Sequence, residues 1–134
     1  MQILAFAATR RAVLEDAGGV TAEGFPMTSC YVESFPAQLN LPIVLSVYAP
    51  AGDNFVMRRY LGVTSPAGDR VGFLELSWEW PDLPNAPVKY RVLAPVLPMF
   101  VDRPGSYSIG LYADAAGSEP EFSFPLSVLA AAAN

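Results

Sequence analysis

Two nearly identical corners divide the stretch from Leu39 to Pro81 into three extended segments. One corner reads Pro-Ala-Gly-Asp at residues 50–53, and the same four residues recur at 66–69. Proline presets φ near about −65°, and glycine adopts the positive φ that closes a turn, so Gly52 and Gly68 are the expected turn residues. The stretch therefore predicts an antiparallel meander of three strands.

Apolar and polar residues alternate in the strands on either side of these corners. The clearest case sets Leu74, Leu76, Trp78 and Trp80 against Glu75, Ser77 and Glu79. Such alternation is typical of a strand with one core face and one wet face. No segment shows a convincing helical repeat of apolar positions. These patterns predict an all-β fold, an antiparallel two-sheet β-sandwich of the Greek-key, immunoglobulin- or fibronectin-III-like type, with eight or nine strands.

A second local signal lies near the end of the chain. Gly105 stands two residues before Tyr107, which opens an apolar strand. The pattern resembles the tyrosine corner of Greek-key sandwiches, in which the phenol hydroxyl bonds a backbone group a few residues upstream. Gly105 and Tyr107 are therefore predicted to be structural residues.

The length of 134 residues predicts one domain. We expect the β-sandwich to span residues 1–129, with residues 130–134 as a frayed tail. The proline-rich segment at 81–87 cannot be regular structure and is the expected crossing between sheets.

The chain is unusually apolar for its class. Hydrophobic residues make up 52% of it and charged residues 16%, against roughly 25% charged in ordinary soluble domains. No apolar run is long enough for a membrane-spanning helix. Apolar residues on both parities of the central strands predict an outer sheet face that a partner covers. The candidate interface residues are Tyr48, Val56, Arg58 and Tyr60, since arginine and tyrosine are enriched at interfaces.

Charge and cysteine content exclude several classes of function. The net charge is −5 and no basic footprint is visible, which argues against nucleic-acid binding. The single cysteine, Cys30, cannot form an intrachain disulfide and fits a reducing compartment. The opening residues MQILAFAATRR lack a basic residue before a short apolar run, so they predict a first strand rather than a signal peptide. The sequence thus predicts a cytoplasmic protein that binds neither nucleic acid nor membrane.

Candidate catalytic residues are few. Histidine is absent, which removes the commonest general base and metal ligand at neutral pH. Cys30 lies in a predicted strand and is expected to be a packed small residue. Glu75 and Glu79 share a strand face, but four residues at roughly 3.4 Å each separate them by about 14 Å, too far for a glycosidase pair. We therefore expect no enzyme activity and no cofactor.

Two further side-chain groups have alternative interpretations. Asp53, Asn54 and Asp69 are typical turn formers, although they would form a calcium site if the two corners met at one end of the fold. Trp78 and Trp80 would form a sugar-binding platform if their face were exposed, but their shared parity with Leu74 and Leu76 favours the core.

Four segments resemble a family of small bacterial proteins of unknown function. They are ILAFAA to EDAGGVTAEG between Ile3 and Gly24, then FPMTSCYVESFPAQLNLPIVLSV, SPAGDRV and RPGSYSIGLYAD. The resemblance spans nearly the whole chain, and most matching positions are turn and core residues. It implies a β-sandwich and no particular chemistry.

Three hypotheses follow for the function. The first is a non-catalytic protein that self-associates or docks a protein partner. The second is a ligand-binding module for carbohydrate or a small apolar molecule, which would use tyrosine and tryptophan side chains. The third is a structural subunit of a phage-like or secretion assembly, in which β-sandwiches also serve.

Overall fold

The computed structural model describes residues 1–117 and 119–132, and its regular structure within those ranges consists of strands. The eleven strands are β1 (Gln2–Ala8), β2 (Arg11–Leu14), β3 (Val20–Glu23), β4 (Ser29–Val32), β5 (Ala37–Pro50), β6 (Val56–Thr64), β7 (Arg70–Glu79), β8 (Val88–Leu93), β9 (Val96–Val101), β10 (Gly105–Tyr112) and β11 (Phe122–Ala130). The all-β class is confirmed. Within the same ranges, no helix is long and apolar enough to cross a membrane.

Nine strands form one curled sheet that resembles half of a barrel. The order is β1-β5-β9-β7-β6-β10-β11-β4, and β8 pairs with β5 outside this order. The sheet is mixed, because β4 runs parallel to β11 while the other pairs are antiparallel. The two separate Greek-key sheets that the sequence predicts do not describe this arrangement.

The long strand β5 pairs with three other strands of the sheet. Its first half, residues 37–42, pairs with β9, and its second half pairs with β1 on one edge and β8 on the other. A single strand of 14 residues therefore pairs with three other strands along its length.

The two corners have the same turn chemistry but different roles. Gly52 and Gly68 have φ values of 86° and 94°, as expected. The second corner closes a hairpin, because β6 pairs with β7 and the Ser65 N–H donates to the Asp69 carbonyl. After the first corner, β6 pairs with β7 and β10, whereas β5 pairs with β1, β8 and β9. The predicted three-strand meander is wrong at this first corner, which connects two strands that are not neighbours in the sheet.

The core fills the concave side of the sheet. Trp78 and Trp80 lie there with exposed fractions of 5% and 2%, and their rings meet edge to face at 6.1 Å. The prediction that they belong to the core is confirmed. The aliphatic centre of the core comes from β5, β6, β9, β10 and β11, and it includes Ile43, Leu45, Val47, Leu61, Val63, Leu97, Ile109, Leu111, Leu126 and Val128.

Tyr107 has the geometry of a tyrosine corner. Its side chain is fully buried and its hydroxyl donates to the Arg103 carbonyl at 2.8 Å. Gly105, two residues earlier, has a φ of 151°, and a Cβ at that position would lie 2.7 Å from Cγ of Pro66. Glycine is therefore required there both by backbone conformation and by the close approach of the β6–β7 turn.

The hairpin of β2 and β3, residues 11–23, forms an additional layer that we call the flap. Its alternation puts Ala12, Val20 and Ala22 on one face and Arg11, Thr21 and Glu23 on the other. The first group is half-buried and the second is exposed. The flap therefore lies with its apolar face on the outer side of β1, β5 and β8.

The C-terminal part of the chain stays paired with the sheet beyond residue 129, the predicted end of the domain. Ala130 pairs with Val32, and the Ala131 N–H donates to the Val32 carbonyl at 2.9 Å. Residues 133–134 of the expected tail lie outside the described residues.

Candidate functional site

A cavity of about 690 Å³ lies between the flap and the outer face of β1, β5 and β8. We call it the flap cavity. Its walls are formed by Leu4, Ala5, Gly19, Val20, Ala22, Phe25, Val44, Ser46, Tyr90 and Val92. They come from three strands of the main sheet, from the flap and from the segment that follows it.

Small side chains account for the space. Ala5 and Ser46 face the cavity from the sheet, and Ala22 faces it from the flap. Protein interiors are close-packed when the side chains of two layers interdigitate. Alanine and serine are too short to interdigitate here, so space remains between the flap and the main sheet.

The flap covers part of the outer face of β5. Val44 and Ser46 point away from the core, yet only 3% and 8% of their surfaces are exposed. The cover comes from the chain itself rather than from a second molecule. The sequence did not predict the flap, because strands as short as Val20 to Glu23 show only weak alternation of apolar and polar residues.

The walls are almost entirely apolar. Ser46 and Tyr90 are the wall residues with side-chain hydroxyls, and none of the ten wall residues carries a charge. Tyr90 is 62% exposed and its ring lies 5.8 Å from that of Tyr48. Charged residues line an adjoining cavity at the tip of the flap, to which Glu15 and Arg91 contribute.

The flap is anchored at its base. The Thr9 hydroxyl donates to the Glu23 carbonyl at 2.5 Å, and the Arg10 N–H donates to the same carbonyl at 3.0 Å. Thr9 is fully buried, and its own N–H donates to the Pro42 carbonyl of β5. At the other end the turn between β2 and β3 is closed on itself, since the Glu15 N–H donates to the Gly19 carbonyl. The flap is thus joined to the sheet by backbone bonds at one end and rests on apolar contacts along the rest.

The four predicted interface residues do not form one surface. Tyr48 packs against Tyr90 on the outer face of β5 and β8, with the two ring planes tilted by 38°. The other three lie on the outer face of β6, where Arg58 pairs with Glu75 at 3.1 Å. Next to this pair, Tyr60 stacks on Phe73 with ring centres 5.7 Å apart.

The candidate carboxylates and the cysteine are dispersed. Asp53 precedes β6 and Asp69 follows it, so the two corners lie at opposite ends of that strand, and the proposed calcium site between them is wrong. Among residues 1–117 and 119–132, no group of three histidine, cysteine, aspartate or glutamate residues has the proximity to hold a metal ion. Cys30 is half-buried on β4, and its burial raises the pKa of its thiol.

The sequence analysis missed a buried lysine. Lys89, the only lysine of the chain, is 2% exposed, although it alternates with Val88 and Tyr90 as an outward residue would. Its Nζ donates to the Trp80 carbonyl at 2.6 Å and lies 4.4 Å from the ring centre of Phe55. The same nitrogen is 3.1 Å from Oδ1 of Asp82. The arrangement satisfies the ammonium group within the fold and indicates a structural role.

Comparisons of the chain with protein-family models, with curated proteins and with solved structures return no match. The resemblance to small bacterial proteins of unknown function stays a prediction.

Proposed function

We propose that this protein is a non-catalytic binding module and that its ligand is a small, uncharged, apolar molecule held in the flap cavity. The observation that carries the proposal is an open cavity of about 690 Å³ lined mainly by apolar side chains. Ligand sites are typically about 300–1,000 Å³, mostly apolar, with a few polar groups that orient the ligand.

The chemistry of the walls selects the class of ligand. Apolar surface removed from water contributes about 25 cal/mol per Å², so a hydrocarbon chain or ring is favoured against walls of this kind. A buried charge without a partner is strongly disfavoured, and the walls carry no charged side chain to pair with one. The hydroxyls of Ser46 and Tyr90 suit one hydrogen-bonding group on the ligand.

A titration with the uncharged dye Nile red tests the proposal. Ala22→Phe places a large ring inside the cavity, and we expect it to weaken dye binding by about tenfold or more. Val13→Phe is the matched control, because Val13 lies on the opposite face of the flap and is already 47% exposed. Equal affinity in both variants, or no dye binding by the wild-type protein, would contradict the proposal.

Self-association through the outer face of β6 and β7 is the second candidate function. Val56 is 77% exposed and Phe73 is 43% exposed, next to the stacked ring of Tyr60. Light scattering after size-exclusion chromatography measures the mass directly, and Val56→Asp should lower it if this face joins two copies. A monomer at micromolar concentration in the wild-type protein would exclude this candidate.

A further inference from the structure

The floor of the flap cavity is a row of short side chains that crosses three strands. Ala5 of β1 pairs with Ser46 of β5, and Ser46 pairs on its other edge with Val92 of β8. All three residues line the cavity. Adjacent strands lie about 4.8 Å apart, so the row extends for about 10 Å across the sheet. Val44, on the same face of β5 as Ser46, continues the floor by about 7 Å along the strand.

The roof of the cavity is formed by the flap and is also made of short side chains. Val20 and Ala22 of β3 line the cavity, and Gly19 at the turn has no side chain. Stacked β layers lie about 10 Å apart when their side chains interdigitate. Here Ser46 in the floor and Ala22 in the roof fill little of that distance. The remaining space is therefore broad along the layers and thin between them.

Aromatic rings bound this thin space on two opposite sides. Tyr90 belongs to β8, which pairs with one edge of β5. Phe25 lies beside β1, which pairs with the other edge, since it also lines a groove with Ala7 of that strand. Both rings are exposed at the mouth of the cavity. Aromatic rings prefer edge-to-face or offset contacts, and rings at these two positions can make them with the edges of a flat aromatic ligand.

Ser46 places a hydroxyl in the middle of the floor. The residue is only 8% exposed, and it lies between Ala5 and Val92 in the row. The face of an aromatic ring is electron-rich, so a hydroxyl below such a ring makes a favourable contact that a saturated ring does not offer. The hydroxyl of Tyr90 suits a polar substituent in the plane of the ring. The polar groups of the walls thus favour an aromatic ligand over a saturated one.

We infer that the flap cavity binds a flat molecule of fused aromatic rings, which lies parallel to the sheet between Ser46 and Ala22 with a polar substituent towards Tyr90. The inference rests on the proposed function and names the class of its ligand. A puckered or globular molecule with the same number of carbon atoms is thicker, so it has to push the flap away from the sheet. The flap resists this movement at its base, where the Thr9 hydroxyl and the Arg10 N–H both donate to the Glu23 carbonyl.

The test is isothermal titration calorimetry of the full chain with 2-naphthol, decahydro-2-naphthol and 1-adamantanol. The three alcohols are uncharged at neutral pH and have the same number of carbon atoms and one hydroxyl each. The first is flat, the second is puckered and the third is globular. We expect 2-naphthol to bind about tenfold more tightly than 1-adamantanol, with decahydro-2-naphthol between them, because a thicker ligand overpacks the cavity. The flat alcohol should also displace Nile red.

Two alanine-to-glycine variants of the flap provide the control within the protein. Ala22→Gly removes one methyl group from the roof, so the preference for 2-naphthol over 1-adamantanol should shrink by about threefold or more. Ala12→Gly is the matched control, because Ala12 pairs with Ala22 but is not a wall residue. It carries the same loss of strand stability and should leave the preference unchanged.

Several results would overturn the inference. They are the absence of binding by 2-naphthol, equal or tighter binding by 1-adamantanol, and an equal change of preference in Ala22→Gly and Ala12→Gly. If Nile red binds in the wild type and is weakened by Ala22→Phe while the three alcohols bind alike, the proposed function stands and this inference fails. If neither Nile red nor any of the alcohols binds, both fail.

Discussion

The Nζ of Lys89 and the Oδ1 of Asp82 lie 3.1 Å apart and join β8 to the loop that precedes it. Lys89 belongs to β8, and Asp82 lies in the loop that precedes it. The Asp82 carboxylate also accepts from the Gly52 N–H, at 3.0 Å through Oδ1 and 2.9 Å through Oδ2. The first corner is therefore held against the β7–β8 loop by a charge-assisted contact.

Replacing Lys89 with methionine should destabilise the protein while keeping most of the aliphatic stem. The Trp80 carbonyl and the Asp82 carboxylate lose their charged donor, and we expect a loss of about 1–3 kcal/mol in the free energy of unfolding. Urea denaturation measures it. Arg91→Met, on the same strand and exposed, should stay within about 0.5 kcal/mol of the wild type. Equal stability of the two variants would show that the Lys89 contacts contribute nothing.

Stability should fall with acid in a way that depends on Asp82. The backbone N–H of Gly52, and then the Lys89 ammonium, lower the pKa of Asp82 from its ordinary value of 3.8. Because the folded-state pKa is the lower one, the contribution to stability is complete above pH 3.8 and is lost as the pH falls through the folded-state pKa.

The comparison with Asp82→Asn isolates this effect. The wild-type free energy of unfolding should fall more steeply below pH 3.8 than that of Asp82→Asn. Arg103 lowers the pKa of Asp102 in the same direction, and that contribution is common to both proteins. Parallel pH profiles of the two proteins would contradict the prediction.

Tyr107→Phe removes one hydroxyl and leaves the ring in the core. The Arg103 carbonyl then loses its donor, and we expect the free energy of unfolding to fall by about 0.5–1.5 kcal/mol. Tyr31→Phe is the matched control at a position that is 68% exposed, and it should have no measurable effect. A Tyr107→Phe protein as stable as the wild type would mean that the hydrogen bond does not stabilise this corner.

Gly72 lies where β7 pairs with β9. It pairs with Met99, and a Cβ at Gly72 would lie 2.7 Å from the Pro98 carbonyl oxygen. Because that oxygen belongs to the backbone, Gly72→Ala should force the strands apart and cost about 1–3 kcal/mol. Thermal denaturation checks this against Ser77→Ala on the same strand, which is exposed and should change little. Similar melting temperatures for the two variants would refute the close approach.

Turn chemistry was readable from the sequence because it is local. Proline and glycine set the backbone at residues 50–53 and 66–69, and both glycines have the expected positive φ. Which strands pair after a turn is not a local property. The first corner does not form a hairpin, because β5 pairs with β1, β8 and β9, and those strands lie far from it in sequence.

Alternation of apolar and polar residues predicted burial correctly where the pattern is strong. It predicted burial wrongly where a polar residue finds specific partners inside the fold. Trp78 and Trp80 followed their parity into the core. Lys89 did the opposite of what its alternation indicates, because Trp80, Asp82 and Phe55 together satisfy an ammonium group inside the fold.

The candidate sites depended on tertiary structure throughout. The flap cavity forms because two sets of small residues, separated in sequence, face each other across two layers. The sequence by itself determined the strand-forming segments, the turn geometry and the absence of histidine chemistry, since these depend on residue type and near neighbours. Only the tertiary structure decided the strand pairing, the position of the flap and the flap cavity, because each requires contacts between segments that lie far apart in sequence.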